Sequence, residues 1–313
     1  MAGLKNIKQK IQSVKKTSTV TRAMEAVSAV KMRKAQERAI AARPYARAAL
    51  RMLGSVSGSR DASNHPLTRE RKEGKVGIVM ITSDKGLAGS LNSAVLKKTQ
   101  EFISDAGLSA RDLVFICLGK RGYEFALRRG YSVVHHHTNI SDGIDEEEFR
   151  RITRQVIDLQ ESGVTREVRV AYTDFRSTFE QEAAVHKILP VSLHVMERVI
   201  ASITPERGKF ADIENLSARR TQAGGDGASA YTIEPDTEEV FKVLIPKLAN
   251  IAVFHKLLES KASEHSARMV AMKNATDKAR EVVRDLTRKF NRVRQAAITR
   301  EVSEITSGIE AMR

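Results

Sequence analysis

From Thr237 to Ser307 the chain carries no glycine and a single proline, Pro246. Within that span Met269, Met272, Thr276, Ala279, Val283, Leu286, Phe290, Val293 and Ala297 follow one another at steps of 3 and 4 residues, with Thr276 the one polar member. A 3.5-residue period held this long describes a helix whose narrow apolar stripe must be covered by another helix. The stripe then moves over by one residue to Ile298, Val302, Ile305, Ile309 and Met312, the direction in which a straight helix drifts against a heptad repeat. Such a helix is on the order of 110 Å long at 1.5 Å per residue.

The N-terminus offers the cover. Leu4, Ile7, Ile11 and Val14 repeat with helical spacing, and Val20, Met24 and Val27 resume the stripe after a more polar turn. Neither glycine nor proline interrupts Leu4 to Arg43. Pro44 kinks the helix or begins a new helical stretch, and the segment ends before GSVSGSRDASNHP, which is rich in turn formers. Its length is roughly 80 Å. Two long amphipathic helices cannot each bury a stripe alone, so they pair. A compact domain between them supplies the return path, which makes the pair antiparallel.

That middle domain reads as alternating strands and helices. KVGIVMITS, DLVFICLG, YSVVHHH and EVRVAYTDF are four strands, and HKILPV is a candidate fifth. Between them lie the helices LNSAVLKKTQEFISDAG, KRGYEFALRRG and DEEEFRRITRQVIDLQESG, with Gly130 and Gly163 closing the last two. The alternation predicts an α/β domain with a largely parallel sheet. The expected organisation is a coiled-coil helix over 1–58, the α/β domain over 75–202, a flexible linker or foot over 203–236 containing ARRTQAGGDGASA, and a second coiled-coil helix over 237–313.

The net charge of +15 sits in the two ends. Residues 1–58 hold 13 Lys and Arg against 2 Asp and Glu, residues 237–313 hold 15 against 10, and the middle is nearly neutral. A basic rod suits nucleic acid, anionic lipid or an acidic protein surface. The first segment has one aromatic residue, Tyr45, and so lacks the stacking platforms of single-strand binders. Cys117, the only cysteine, lies in the apolar run LVFICLG and reads as a core residue. No stretch reaches the length of a membrane span. The basic N-terminus lacks the apolar core of a signal peptide, and its pattern runs on into the helix.

No catalytic or metal constellation stands out. SDKGLAGS follows the first strand but matches neither GxGxxG nor GxxxxGK[ST]. His135, His136 and His137 alternate faces along a strand, so at most two converge on a metal. No catalytic, cofactor-binding or metal residue is therefore assigned, and no cofactor is expected.

Five strings in order carry a resemblance. TRAMEAVSAVKMRKAQ with RPY at Arg43–Tyr45, SDKGLAGSLN at Ser83–Asn92, YTDFRSTFEQ with Leu189–Pro190, YTIEPD at Tyr231–Asp236, and ARMVAMKNATDKA with FNRVRQAAITREVSEITSG are similar to the gamma subunits of F-type ATP synthases. The likeness covers nearly the whole chain. Lys85, Ala88 and Ser90 depart from the family's SDRGLCGGLN-type turn, and the regulatory cysteine pair of chloroplast members is missing.

The resemblance implies a long antiparallel coiled coil with a central Rossmann-like α/β domain. It implies a non-catalytic rotor shaft coupling a proton-driven ring of c subunits to catalytic beta subunits, on the cytoplasmic face of a bacterial plasma membrane. The implied partners are the alpha and beta subunits, the epsilon subunit and the c-ring, with no nucleic acid among them. Contacts with beta fall on Met24, Lys31, Arg33, Arg268, Gln295 and Thr299, and contacts with the c-ring on Tyr231 and Glu234. Two other readings compete with the shaft: a basic coiled coil that binds nucleic acid, and an α/β enzyme with helical arms.

Overall fold

The computed structural model describes residues 2–41, 65–191 and 237–312. The predicted bend at Pro44, the turn-rich segment after it and the 203–236 linker lie outside the described residues. The chain divides into two compact units. One holds residues 29–267, and the other joins residues 1–28 to residues 268–313.

The larger unit is built on a five-stranded sheet. Its strands are β1 (Lys75–Ile81), β2 (Leu113–Leu118), β3 (Val133–His137), β4 (Thr165–Phe175) and β5 (Gln181–Leu189), in the order β3-β2-β1-β4-β5. The β1–β2, β2–β3 and β1–β4 pairings are parallel, and β4–β5 is antiparallel. The continuous apolar runs of β1 and β2 fit central strands covered on both faces. β3 alternates between half-buried and exposed positions, as an edge strand does. The fifth strand begins well before HKILPV, at Gln181. The tight turn that lets it return beside β4 uses Ser177, whose hydroxyl accepts from the Phe179 and Glu180 amides.

Helices α2 (Leu91–Asp105) and α3 (Lys120–Arg128) cover one face of the sheet. Val95, Ile103 and Ala126 pack there on Ile78, Met80, Phe115 and Cys117. Burial pushes the Cys117 thiol up to about 12, which keeps it a neutral core group. On the opposite face α4 (Glu146–Glu161) contributes Phe149, Ile152 and Val156. Asp145 caps α4 by accepting from the Glu148 amide at 2.7 Å, and three glutamates occupy its first turn, where the helix dipole favours them.

The second helix on that face comes from the long C-terminal helix, α5 (Thr237–Ala311), which runs through Pro246 without ending. Its residues Ile245, Leu248, Ala252, Phe254 and Leu257 join the same core, and Phe254 meets Phe149 at 5.4 Å between ring centres. The first third of α5 is thus a core helix of the sheet, a role that heptad counting further along the helix did not reveal.

Helix α1 (Ala2–Ala41) and the remainder of α5 make the long antiparallel pair. In the smaller unit the α5 stripe falls where its spacing predicts: Met272, Thr276 and Ala279 are buried, and Val283, Leu286, Phe290, Val293 and Ala297 are half-buried. The α1 stripe requires a correction. Val20 and Val27 are more than half exposed, and the seam runs instead from Val14 through Ser18, Thr21 and Ser28, with Met24 half-buried at its margin. Continuing the 3–4 count from Val14 leads to those small polar residues. Their size lets the helices approach closely, so periodicity outweighs hydrophobicity here.

One glycine sets the junction between β2 and α3. Gly119 has φ +107, and a Cβ there would lie 2.0 Å from the Thr82 carbonyl oxygen. Gly107 is also left-handed, at φ +63, but has open space around it. Gly119→Ala is expected to lower stability by about 2–5 kcal/mol, from backbone strain and collision together. Gly107→Ala should cost only about 1–2 kcal/mol. Urea midpoints of the two variants measure the difference, and equal shifts would remove the collision from the account.

Candidate functional site

The outer surface of the helical pair is where this chain has most to offer a partner. Its geometry begins at the seam. Thr21 and Thr276 place their hydroxyl oxygens 2.6 Å apart, both buried. Thr276 is also 2.8 Å from the Met272 carbonyl, and Thr21 is 3.1 Å from that of Ser18. Two protons therefore serve three acceptor positions: one hydroxyl donates across the seam and the other back into its own helix. A polar pair in an apolar seam gives up stability and fixes register, because sliding either helix strands a buried hydroxyl.

With Thr21 opposite Thr276, the reach of α1 is set. Counting back from Thr21 to Ala2, and forward from Thr276 by the same number of residues, arrives at Gln295. Among the described residues no α1 residue lies level with α5 beyond that point. The shifted stripe of the sequence lies in this stretch: Ile298, Val302, Ile305 and Ile309 are each 52–62% exposed, and Met312 is 90% exposed. An exposed apolar stripe on one helix face makes this stretch a candidate surface for a partner.

The residues expected to contact a partner divide into groups. Gln295 and Thr299 are exposed and one turn apart, at the point where α1 ends. Met24 lies half-buried between exposed Val20 and Val27 on one face of α1. Arg33 is exposed, whereas Lys31, itself half exposed, pairs with Asp142 at 2.8 Å. Arg268 differs from the rest: it is only 8% exposed and belongs to the chain's own packing. Tyr231 and Glu234 lie outside the described residues.

The turn that follows β1 has its polar groups engaged in holding itself. Asn92 accepts from the Ser83 amide at 3.0 Å and donates to the Ser83 hydroxyl at 2.7 Å. Asp84 accepts from the Lys120 amide and from the Asn139 amide, each at 2.9 Å. Its carboxylate thus fills the N-terminus of α3, the position a phosphate would take in a nucleotide-binding loop. A polar cleft of about 480 Å³ opens beside it, lined in part by Lys85, Lys120, Tyr123 and His136. His136 stacks on Tyr123 at 4.1 Å, and His137 is hydrogen-bonded to Gln155 at 2.8 Å. Among the described residues no group of three His, Cys, Asp or Glu side chains is arranged to hold a metal, and no helix is long and apolar enough to cross a membrane.

Charge is buried where α5 crosses β4, at residues that periodicity did not single out. Lys256 has no exposed surface; its Nζ lies 3.1 Å from Glu259 Oε2 and 4.6 Å above the centre of the Tyr172 ring. His255 Nδ1 is 3.3 Å from Glu259 Oε1, within ion-pair distance but off the line of a hydrogen bond. Burial pushes the Glu259 carboxyl up, but Lys256 and His255 outweigh it and hold the group below its ordinary range. Burial, and then the Glu259 charge, push the Tyr172 hydroxyl well above its ordinary range. Asp174 is pushed up to about 6, by burial first, then by Glu259 and by Glu182 directly across the strand pair.

The fold defines a class: two long helices, one at each end of the chain, that pair with each other, and a domain built on a mostly parallel five-stranded sheet of order β3-β2-β1-β4-β5. Comparison with known proteins identifies the class further. The family described as ATP synthase matches residues 3–312. The ATP synthase gamma chain of Chlorobium phaeobacteroides is 38% identical, and that of Moorella thermoacetica 37% identical, each aligned over 100% of both chains. The chain belongs to the ATP synthase gamma chain family. Its fold is similar to a chain of the Euglena gracilis mitochondrial ATP synthase rotor, with a TM-score of 0.62, 14% identity, and coverage of 95% of this chain and 99% of that one. A chain from the central stalk and c-ring of the Tetrahymena thermophila mitochondrial enzyme gives a TM-score of 0.57 at 21% identity, covering 82% and 99%.

Asp174 yields a test. A carboxyl raised in the folded state gives its full stability below its ordinary range and loses it as pH rises through about 6. Asp174→Asn is therefore expected to stabilise the chain at pH 8 by about 1–2 kcal/mol, after discounting for partial solvent access, and to have little effect at pH 4. Thermal melts at the two pH values measure this. An equal effect at both would mean that the carboxyl is not forced to ionise against its surroundings.

Proposed function

We propose that this chain is the central rotor shaft of a bacterial F-type ATP synthase. In this reading it is a non-catalytic subunit that couples proton-driven rotation of the c-ring to the conformational cycle of catalytic beta subunits. The observation that carries it is the geometry of the helical pair. Register is pinned at Thr21–Thr276, the first described residue of α1 comes level with Gln295, and the α5 residues that follow carry an apolar stripe open to solvent. A shaft seated in a ring of subunits needs such an end. The partner that covers the stripe is supplied by the assembly, and the polar residues between the apolar ones allow contacts to be exchanged as the shaft turns.

Each candidate contact takes a place in this reading. Gln295 and Thr299 meet mobile loops of beta where the shaft narrows from two helices to one. Met24 with Val20 and Val27, and the basic face at Lys31 and Arg33, meet acidic loops of the same subunits. Arg268, being enclosed, reaches beta only through a rearrangement of its own surroundings. Tyr231 and Glu234 meet the c-ring, and epsilon docks alongside. ATP binds on alpha and beta, in keeping with a β1 turn whose polar groups hold its own backbone. The complex lies on the cytoplasmic face of the plasma membrane, and the chain is peripheral to that membrane.

Co-expression with the alpha and beta subunits of the same organism, and purification through a tag on beta, tests the proposal. One copy of this chain per ring and ATPase turnover that depends on it are expected; well-folded alpha and beta that never capture the chain would refute it. Steep, salt-sensitive binding to random DNA would then favour the nucleic-acid reading. In the assembled enzyme, Gln295→Ala with Thr299→Ala is expected to lower coupled ATPase activity by about tenfold while leaving the chain folded, in line with the loss of about 1–2 kcal/mol of directional contact. Unchanged turnover would take both residues out of the mechanism. Truncation after Gly308 should be milder, because it removes only the last turn of a fraying end.

A further inference from the structure

One carboxylate in the larger unit holds both long helices at once. Asp142 lies in the loop between β3 and α4. Lys31 Nζ of α1 is 2.8 Å from its Oδ2, while Lys261 Nζ and His265 Nε2 of α5 are 3.5 Å and 3.1 Å from its Oδ1. Because a carboxylate only accepts, His265 must present Nε2–H to it. The loop backbone is gripped as well. Arg38 of α1 donates to the carbonyls of Asp142 at 2.7 Å, Gly143 at 2.9 Å and Ile144 at 3.3 Å, and Lys261 donates to that of Ile140 at 2.9 Å. The ends of the loop are tied down too: the Asn139 amide donates to Asp84, and Asp145 caps α4.

The division of labour between the two oxygens is the informative part. Oδ2 serves α1 and Oδ1 serves α5, so neither helix can slide along the other, nor turn against the sheet, without breaking a charge-assisted bond. The seam of the smaller unit resists sliding with two neutral hydroxyls; here the resistance is ionic, and it includes the sheet. The hydrogen bond from His265, opposed by burial and reinforced by Lys31, holds the Asp142 carboxyl far below its ordinary range. A depressed carboxyl keeps its contribution above its ordinary range and loses it only at much lower pH, so the group is charged under any condition used to assay an ATPase.

We infer that Asp142 is a positioning residue for torque transfer: it locks α1, α5 and the sheet against shear, so that rotation imposed on one is delivered to the others without slip. The inference rests on the rotor reading above. It concerns how faithfully rotation is transmitted, whereas the contacts with beta decide whether the catalytic subunits respond at all. Slip at this clasp therefore separates hydrolysis from pumping, and a general loss of fold depresses both together.

The experiment uses the complete membrane complex reconstituted in vesicles, with ATP hydrolysis and ATP-driven proton uptake measured on the same preparation. For Asp142→Asn, hydrolysis is expected within about twofold of the wild type while protons taken up per ATP fall by about threefold or more. Asp142→Glu is expected to restore most of the ratio, since it keeps the charge. If Asp142→Asn does not assemble, Lys261→Gln, which removes one of the two α5 partners of Asp142 and leaves His265 in place, decides the matter through the same ratio. An unchanged ratio in the variant that assembles, or hydrolysis and pumping falling in step, would overturn the inference. A wild-type chain on which turnover does not depend at all would instead overturn the rotor reading, so the two failures are distinct.

Discussion

The rest of the structure depends on the burial of one helical segment, Ile245 to Leu258, against the sheet. Without it, the face made by Val79, Ile81, Ile116 and Val170 would be covered by α4 alone. With it, that face carries two helices, as α2 and α3 cover the other, and both faces of the sheet are closed to water. Phe254 on Phe149 and Lys256 on Tyr172 anchor that segment, one through an apolar contact and one through a buried charge.

Much of this was readable in the sequence, for physical reasons that differ by region. The strands of the sheet follow from β-branched runs bounded by turn formers, and the α5 stripe from Met272 to Ala297 follows from an unbroken 3–4 spacing. Where hydrophobicity and periodicity agreed, either one sufficed. They disagreed on α1. There Val20 and Val27 suggested a stripe, but the seam kept its period and took Ser18, Thr21 and Ser28 instead. A seam tolerates polar members that find partners, and no local pattern announces that Thr21 will find Thr276.

The environments of the candidate contact residues were less legible than the helices that carry them. Gln295 and Thr299 fall at the end of the double-helical stretch because the register places that end there. Lys31 looked like one charge in a basic run, and its pairing with Asp142 depends on a loop more than a hundred residues away. Arg268 looked like a solvated helix position and is enclosed. Asp142, Lys256 and Glu259 drew no notice because charged residues are ordinarily on the surface. Only tertiary packing makes them into a clasp and a buried triad.

The bare apolar end of α5 has a consequence for the chain's life before it joins a complex. A newly made copy, folded in every other respect, still shows solvent a line of isoleucines, valine and methionine like the surface that an unfolded chain shows. Quality-control proteases and chaperones respond to surface of that kind rather than to the reason for its exposure. An exposed stripe of this kind therefore also marks each uncovered copy, and ties its survival to how soon the stripe is covered.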